Sequence, residues 1–243
     1  MPDVLTMKRL ILLCIAAQMA ITAHAAPGVA EPQRDPAWLR LVARQKRQLA
    51  STAGIDIAFV GDSLTEFWSA TGKAAFDLEF HARKTINLGI AGDRTEHILY
   101  RVADLDFTSA KPRLIVLLAG TNNLGKDPPD DPVEVAAAVG RIATLLKKHS
   151  PESKVLVLSL LPSGKAEEAG LRKRILKTNS GLGKIASGAD LEFLHVHDTF
   201  LDASGRWKRG TTSDGTHLTA RGYDLLARSL SPIVRRLLQL PKR

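Results

Sequence analysis

The chain has 243 residues, 44% hydrophobic and 24% charged, which leaves too little polar bias for a disordered or low-complexity protein. A single α/β domain commonly spans about 200 to 250 residues, so one domain is expected rather than two. The formal charge of +9 excludes an acidic solvating protein; it permits anionic partners without choosing among nucleic acid, anionic glycans and plain solubility.

At the amino terminus, Lys8 and Arg9 precede an apolar run from Leu10 to Ala17 that continues weakly to Ala23. With Ala23 and Ala25 as the small residues before a cut, residues 1–25 read as a signal peptide, and a secreted or periplasmic mature chain is expected. A membrane span needs about 20 apolar residues, and Gln18 interrupts this run, so no stable anchor is expected after cleavage. Cys14 is the only cysteine and falls inside the run. Disulfides, thiolate nucleophiles and cysteine-ligated zinc are therefore excluded from the mature chain.

A Pro-containing linker, 26–36, leads to a domain over 37–243. Its first segment, Ala37 to Ala50, places Trp38, Leu41, Val42 and Leu49 at roughly helical spacing, as in an amphipathic helix covering a sheet edge. Short Val/Ile/Leu runs then alternate with segments of helical period. The strand candidates are Ile55–Val60, Lys84–Leu88, Leu114–Leu118, Val155–Leu160 and Leu191–Val196. Helices are expected over Leu64–Phe80 with a break at Gly72, Thr95–Leu105, Pro132–His149, Glu167–Ser187 and Ala220–Leu240. Five strands separated by helices predict right-handed crossovers and a parallel sheet covered on both faces. In such a sheet the loops leaving the carboxyl ends of the strands share one rim, and ligands bind there.

The rim loops carry the polar chemistry. The first strand runs into Gly61-Asp62-Ser63-Leu64 and a helix start, where free backbone amides can stabilise an anion beside the Ser63 hydroxyl. Asp62 or Ser63 can equally be a plain helix cap. The Gly-x-Ser-x-Gly elbow of α/β-hydrolases is absent, since Thr65 holds its second glycine position. The second strand ends in NLGIAGDRTEH, whose Gly89 and Gly92 could bring amides near a ligand, or simply form a turn capped by Asp93 or Thr95. No Gly-x-Gly-x-x-Gly run supports a dinucleotide site. The third strand ends in Gly120-Thr121-Asn122-Asn123, where an asparagine can aim an N–H donor at a developing oxyanion or serve the turn.

Before the last helix stands Asp214-Gly215-Thr216-His217, in which a carboxylate three residues from an imidazole can hold its second ring nitrogen and set its tautomer. His81, His97 and His149 lack such a partner and read as solvated or capping. His195 and His197 share a face of the fifth strand beside Asp198; with no third ligand or HExxH spacing evident, no metal is assigned there. The basic clusters RKRILK (172–177) and RWKR (206–209) read as a solvated helix face and a surface loop, and no nucleic-acid partner is expected.

Four ordered blocks, GDSL at 61–64, NLGIAGDRTEHILYRV at 87–102, VLLAGTNN at 116–123 and DGTHLTARGYDLL at 214–226, resemble the SGNH or GDSL family of serine esterases and lipases. Within it they resemble the branch related to the catalytic subunits of platelet-activating-factor acetylhydrolase. The likeness runs from about Ile55 to Leu230. It implies a flavodoxin-like three-layer α/β/α sandwich around a five-stranded parallel sheet. It also implies Ser63 as nucleophile, Asp214 and His217 as acid and base, and the Ser63 and Gly92 amides with the Asn122 side chain as oxyanion hole. The activity implied is hydrolysis of short, acetyl-type esters of carbohydrate or small lipid through an acyl-enzyme, with no metal or organic cofactor. The alternative is a non-catalytic glycan-binding protein on the same fold. Two departures bear on substrate fit: Ser163 stands in LPSG (161–164) where relatives often carry arginine, and Gly215-Thr216 replaces a commonly bulkier pair.

Overall fold

The computed structural model describes residues 25–80, 82–164, 169–189 and 191–240. Residues 1–24 of the expected signal peptide (1–25), His81 and the expected start at Glu167 of the helix over 167–187 lie outside the described residues. Among those described, no helix is long and apolar enough to cross a membrane.

The first helix, α1 (Pro36–Ser51), starts where Asp35 accepts a hydrogen bond from the Ala37 amide and proline occupies the first turn. Trp38, Val42, Gln45 and Leu49 recur at intervals of four, three and four, so one face is buried. Gln45 reaches the carbonyl of Gly89 at 3.3 Å, which sets this helix over the second strand, as the amphipathic spacing predicts.

The sheet consists of β1 (Ile57–Gly61), β2 (Thr85–Gly89), β3 (Leu114–Leu118), β4 (Lys154–Leu158) and β5 (Glu192–Leu194), all parallel and ordered β2-β1-β3-β4-β5. Every residue of β1 and β3 is buried, as expected of central strands covered on both faces. The helices between them are α2 (Ser63–Glu66), α3 (Lys73–Phe80), α4 (Thr95–Ala103), α5 (Thr121–Gly125), α6 (Pro132–His149) and α7 (Ala169–Gly188), and α8 (Ala220–Leu237) closes the chain. The order reverses between β1 and β3, and the crevice outside their carboxyl ends is the place where such sheets bind ligands.

Two expectations need correction. The segment after β1 is interrupted over residues 70–72, as expected, but the part before the break is not a single helix: it divides into α2 and a 3₁₀ turn (Phe67–Ser69), and α3 follows the break. The break follows Ser69, where the Ala70 backbone leaves helical conformation, and Gly72 then passes against the Tyr223 ring, where a Cβ would lie 2.8 Å from its carbons. The fifth strand is only three residues long, because the amides of Val196 and His197 turn to the Ser159 hydroxyl (2.9 and 3.0 Å). A short helix, α5, opens directly after β3, where the asparagines alone also allow a plain turn.

Beneath α2 the core is aromatic. Phe59 lies 5.4 Å from Phe76, and Trp68 lies 4.7 Å from Tyr223 between ring centroids. The Tyr223 hydroxyl donates to the carbonyl of Leu64 at 2.9 Å, which fastens α8 to the element that carries Ser63. Burial, reinforced by the Asp62 charge, pushes the Tyr223 phenol up and keeps that donor protonated.

Candidate active site

Gly61 ends β1, and the Asp62 carboxylate accepts from the Leu64 amide at 3.0 Å, capping α2. The two readings of this turn therefore divide between neighbours: Asp62 caps, which leaves the Ser63 hydroxyl for another partner. That partner is Nε2 of His217, 3.1 Å away and 154 positions later in the chain. On the far side of the ring, Nδ1 lies 2.7 Å from an Asp214 oxygen. The other Asp214 oxygen accepts from the amides of Thr216 (2.8 Å) and His217 (2.7 Å), which curls Asp-Gly-Thr-His into a compact turn.

Charge in this turn follows from its hydrogen bonds. Partial burial pushes Asp214 up, but the bonds from the His217 ring and from the two backbone amides outweigh it and hold the carboxyl at about 2. Asp214 is thus ionised throughout the working range of an imidazole and fixes the His217 tautomer that presents a bare Nε2 to Ser63. Asp62 is the reverse case: complete burial drives its carboxyl up to about 7, with the Leu64 amide opposing and the nearby Asp93 charge adding to the rise.

The loop turn is also held from its flanks. Thr212 donates to the His217 carbonyl (2.9 Å) and accepts from the Gly215 amide (2.9 Å). From the loop after β4, the buried Ser163 hydroxyl bonds Thr216 at 2.7 Å and the Gly164 amide donates to Gly215 at 2.9 Å. Both departures from the family pattern, Ser163 and Thr216, therefore contact one another. The Phe67 ring packs 5.5 Å from that of His217.

Gly92 follows β2 with φ of +77°, a left-handed conformation that glycine adopts without strain. Gly89, by contrast, is required by packing, since a Cβ there would lie 2.2 Å from the Glu66 amide nitrogen of α2. The Gly92 loop is pinned by Asp93, which is fully buried. Its side chain accepts from Arg101 Nε (2.7 Å), Trp38 Nε1 (2.7 Å) and Gln33 Nε2 (2.9 Å), while its carbonyl accepts from Asn122 Nδ2 (2.8 Å). Asn122 is thus tied to the carbonyl of Asp93, the residue after Gly92, and its carboxamide has a second N–H to offer. On the other flank Glu66 accepts from the Ala91 amide at 2.5 Å.

The turn is not capped by Asp93 or Thr95. Asp93 faces the ion pair, Arg94 is the N-cap residue and its amide is taken by His97 Nδ1 (3.1 Å), and the Thr95 amide donates to Asn123 (2.9 Å). His97 caps as expected but is buried rather than solvated, and burial lowers its pKa. His149 bonds the Leu105 carbonyl at 3.0 Å. The basic clusters are partly tied to the fold: Arg172 and Arg174 bond the carbonyls of Gly205 and Leu124, and Arg206 pairs with Asp202. Sequence reasoning missed Asp93, Arg101, Gln33 and Glu66 as site supports. The one available signal was the position of Arg101 on α4, where helical spacing sets a charged residue on the apolar face beside Ile98 and Val102.

A parallel sheet flanked by helices, with a hydrogen-bonded Ser63-His217-Asp214 chain at its switch point, defines a class, α/β enzymes that carry a Ser-His-Asp arrangement on the rim of the sheet. Residues 59–225 match the GDSL-like Lipase/Acylhydrolase family, and the chain belongs to that family and is a carboxylic ester hydrolase. It is 30% identical over 191 residues, 76% of this chain and 78% of the relative, to platelet-activating factor acetylhydrolase IB subunit alpha2 of Rattus norvegicus. A protein from Streptococcus pneumonia described as a candidate platelet activating factor aligns with a TM-score of 0.69 and 27% identity, covering 81% of this chain and 92% of that one. In fold alone it is similar to Axe2, an acetylxylan esterase from Geobacillus stearothermophilus, with a TM-score of 0.60, 17% identity and coverage of 79% and 98%.

Proposed function

We propose that this chain is a serine esterase of short acyl esters, working through an acyl-enzyme on Ser63, and that the mature protein is secreted or periplasmic. The observation that carries the reading is the continuous relay from the Ser63 hydroxyl through His217 to Asp214, at 3.1 and 2.7 Å. His217 Nε2 takes the serine proton as Oγ attacks the ester carbonyl, and the imidazolium is stabilised by ionised Asp214. The oxyanion formed is held by the amides of Ser63 and Gly92 and by the Asn122 side chain, whose carboxamide is held by the carbonyl of Asp93. The imidazolium returns its proton to the departing alcohol, and water then enters by the same route to release the acyl group.

An acetyl preference is supported by the acetylhydrolase relative at 30% identity, and O-acetylated carbohydrate or a small lipid is the substrate class that fits a secreted enzyme. Hydrolysis of p-nitrophenyl esters from about two to twelve carbons by wild type and Ser63→Ala tests this directly. Activity is expected to be highest on the shortest esters and to vanish in the variant. Equal activity of the two proteins overturns the assignment of Ser63, and a preference for the longest chains overturns the acetyl reading.

A further inference from the structure

We propose that His195, His197 and Asp198, at the carboxyl end of β5, form a binding site for a divalent transition-metal ion of the zinc type, sharing no residue with the Ser63 relay. The placement follows from the backbone. Because Ser159 captures the amides of Val196 and His197, the strand stops at Leu194 and the next residues fold into a 3₁₀ turn, His197–Phe200. That turn gathers three ligand-type side chains from four consecutive positions.

His195 Nε2 lies 3.2 Å from one oxygen of Asp198, and His197 Nδ1 lies 2.8 Å from the other. One ligand atom from each residue falls within 4.8 Å of the other two. A tetrahedral zinc ion with bonds of about 2.0–2.1 Å separates its ligand atoms by about 3.3 Å, a spacing within the 4.8 Å that already spans the three. Two imidazole nitrogens and one carboxylate oxygen suit zinc, nickel or copper, whereas magnesium and calcium prefer all-oxygen sites. The His197 side chain is 6% exposed and forms the rigid wall; those of His195 and Asp198, 45% and 73% exposed, leave the open side to water. In the metal-free protein each imidazole can donate an N–H to its own carboxylate oxygen; on binding the ion, that proton moves through solvent to the other nitrogen of the same ring, which frees the lone pair for the metal with no net change in charge on the imidazole.

The test is calorimetric titration of zinc chloride into tag-free full-length protein, comparing wild type with His195→Ala and Asp198→Asn, each verified as folded by its thermal melt. One ion per wild-type chain is expected, each variant binding at least about tenfold more weakly, and zinc raising the melting temperature of wild type alone. Absence of binding to wild type overturns the proposal, as does undiminished affinity in both variants. Zinc that inhibits ester hydrolysis equally in wild type and His195→Ala, with unchanged binding, would place the ion on Asp214 and His217 instead and overturn it as well.

Discussion

Asp62 carries the least comfortable charge near the site. Its carboxyl titrates at about 7 in the folded chain against the ordinary 3.8 of a solvated aspartate, so the stability it contributes is full below pH 3.8 and is lost as pH rises through about 7. A shift of that size corresponds to about 4 kcal/mol. Asn at this position keeps the acceptor for the Leu64 amide and carries no charge. Asp62→Asn is therefore expected to match wild type in urea unfolding near pH 4 and to exceed it by a few kcal/mol near pH 8. A difference that stays constant over that span contradicts a carboxyl that ionises near neutrality. At the same scale the relay residues are legible in sequence because their signals are local: Gly-Asp-Ser at a strand end, and a carboxylate three positions before a histidine. Asp93 is not legible, since its partners Gln33 and Trp38 stand 60 and 55 positions away and look like linker and core residues.

Elements are legible where their periodicity is long and obscure where a few side-chain bonds decide the backbone. α6, expected over Pro132–His149, is found with those bounds, capped by Asp131. β5 and the segment after β1 differ because Ser159, Asp62 and Tyr223 redirect chain ends through one or two side-chain hydrogen bonds each, which no period encodes. α4 shows how an element serves the site at a distance. Arg101, fully buried, binds the Asp93 carboxylate and also donates to the Gly61 carbonyl at 2.8 Å, joining the ends of β1 and β2. Arg101→Leu leaves the Asp93 charge buried without its counter-ion and is expected to cost about 3–5 kcal/mol in urea unfolding. A lower kcat should accompany it, because the Asp93 carbonyl fixes Asn122. A stability loss under about 1 kcal/mol would show that the buried ion pair does not hold this loop.

For the whole molecule, the decisive fact is topological. Strand order β2-β1-β3-β4-β5 sets the loops after β1, β2 and β3 around one crevice, while α8 packs back across α3 and returns the Asp214–His217 turn to the start of α2. The alternation of apolar runs and helical segments announces a parallel sheet, and the rim loops announce where to look. Neither the strand order nor the contact across 154 positions can be read from periodicity, since both arise when distant segments pack. Catalysis as proposed requires Ser63 to be a nucleophile activated by His217. Mass-spectrometric mapping of a fluorophosphonate probe on wild type and His217→Ala tests this most directly. A single adduct on Ser63, formed far more slowly in the variant, is the predicted result. No adduct on Ser63, or labelling at the same rate without the imidazole, would contradict it.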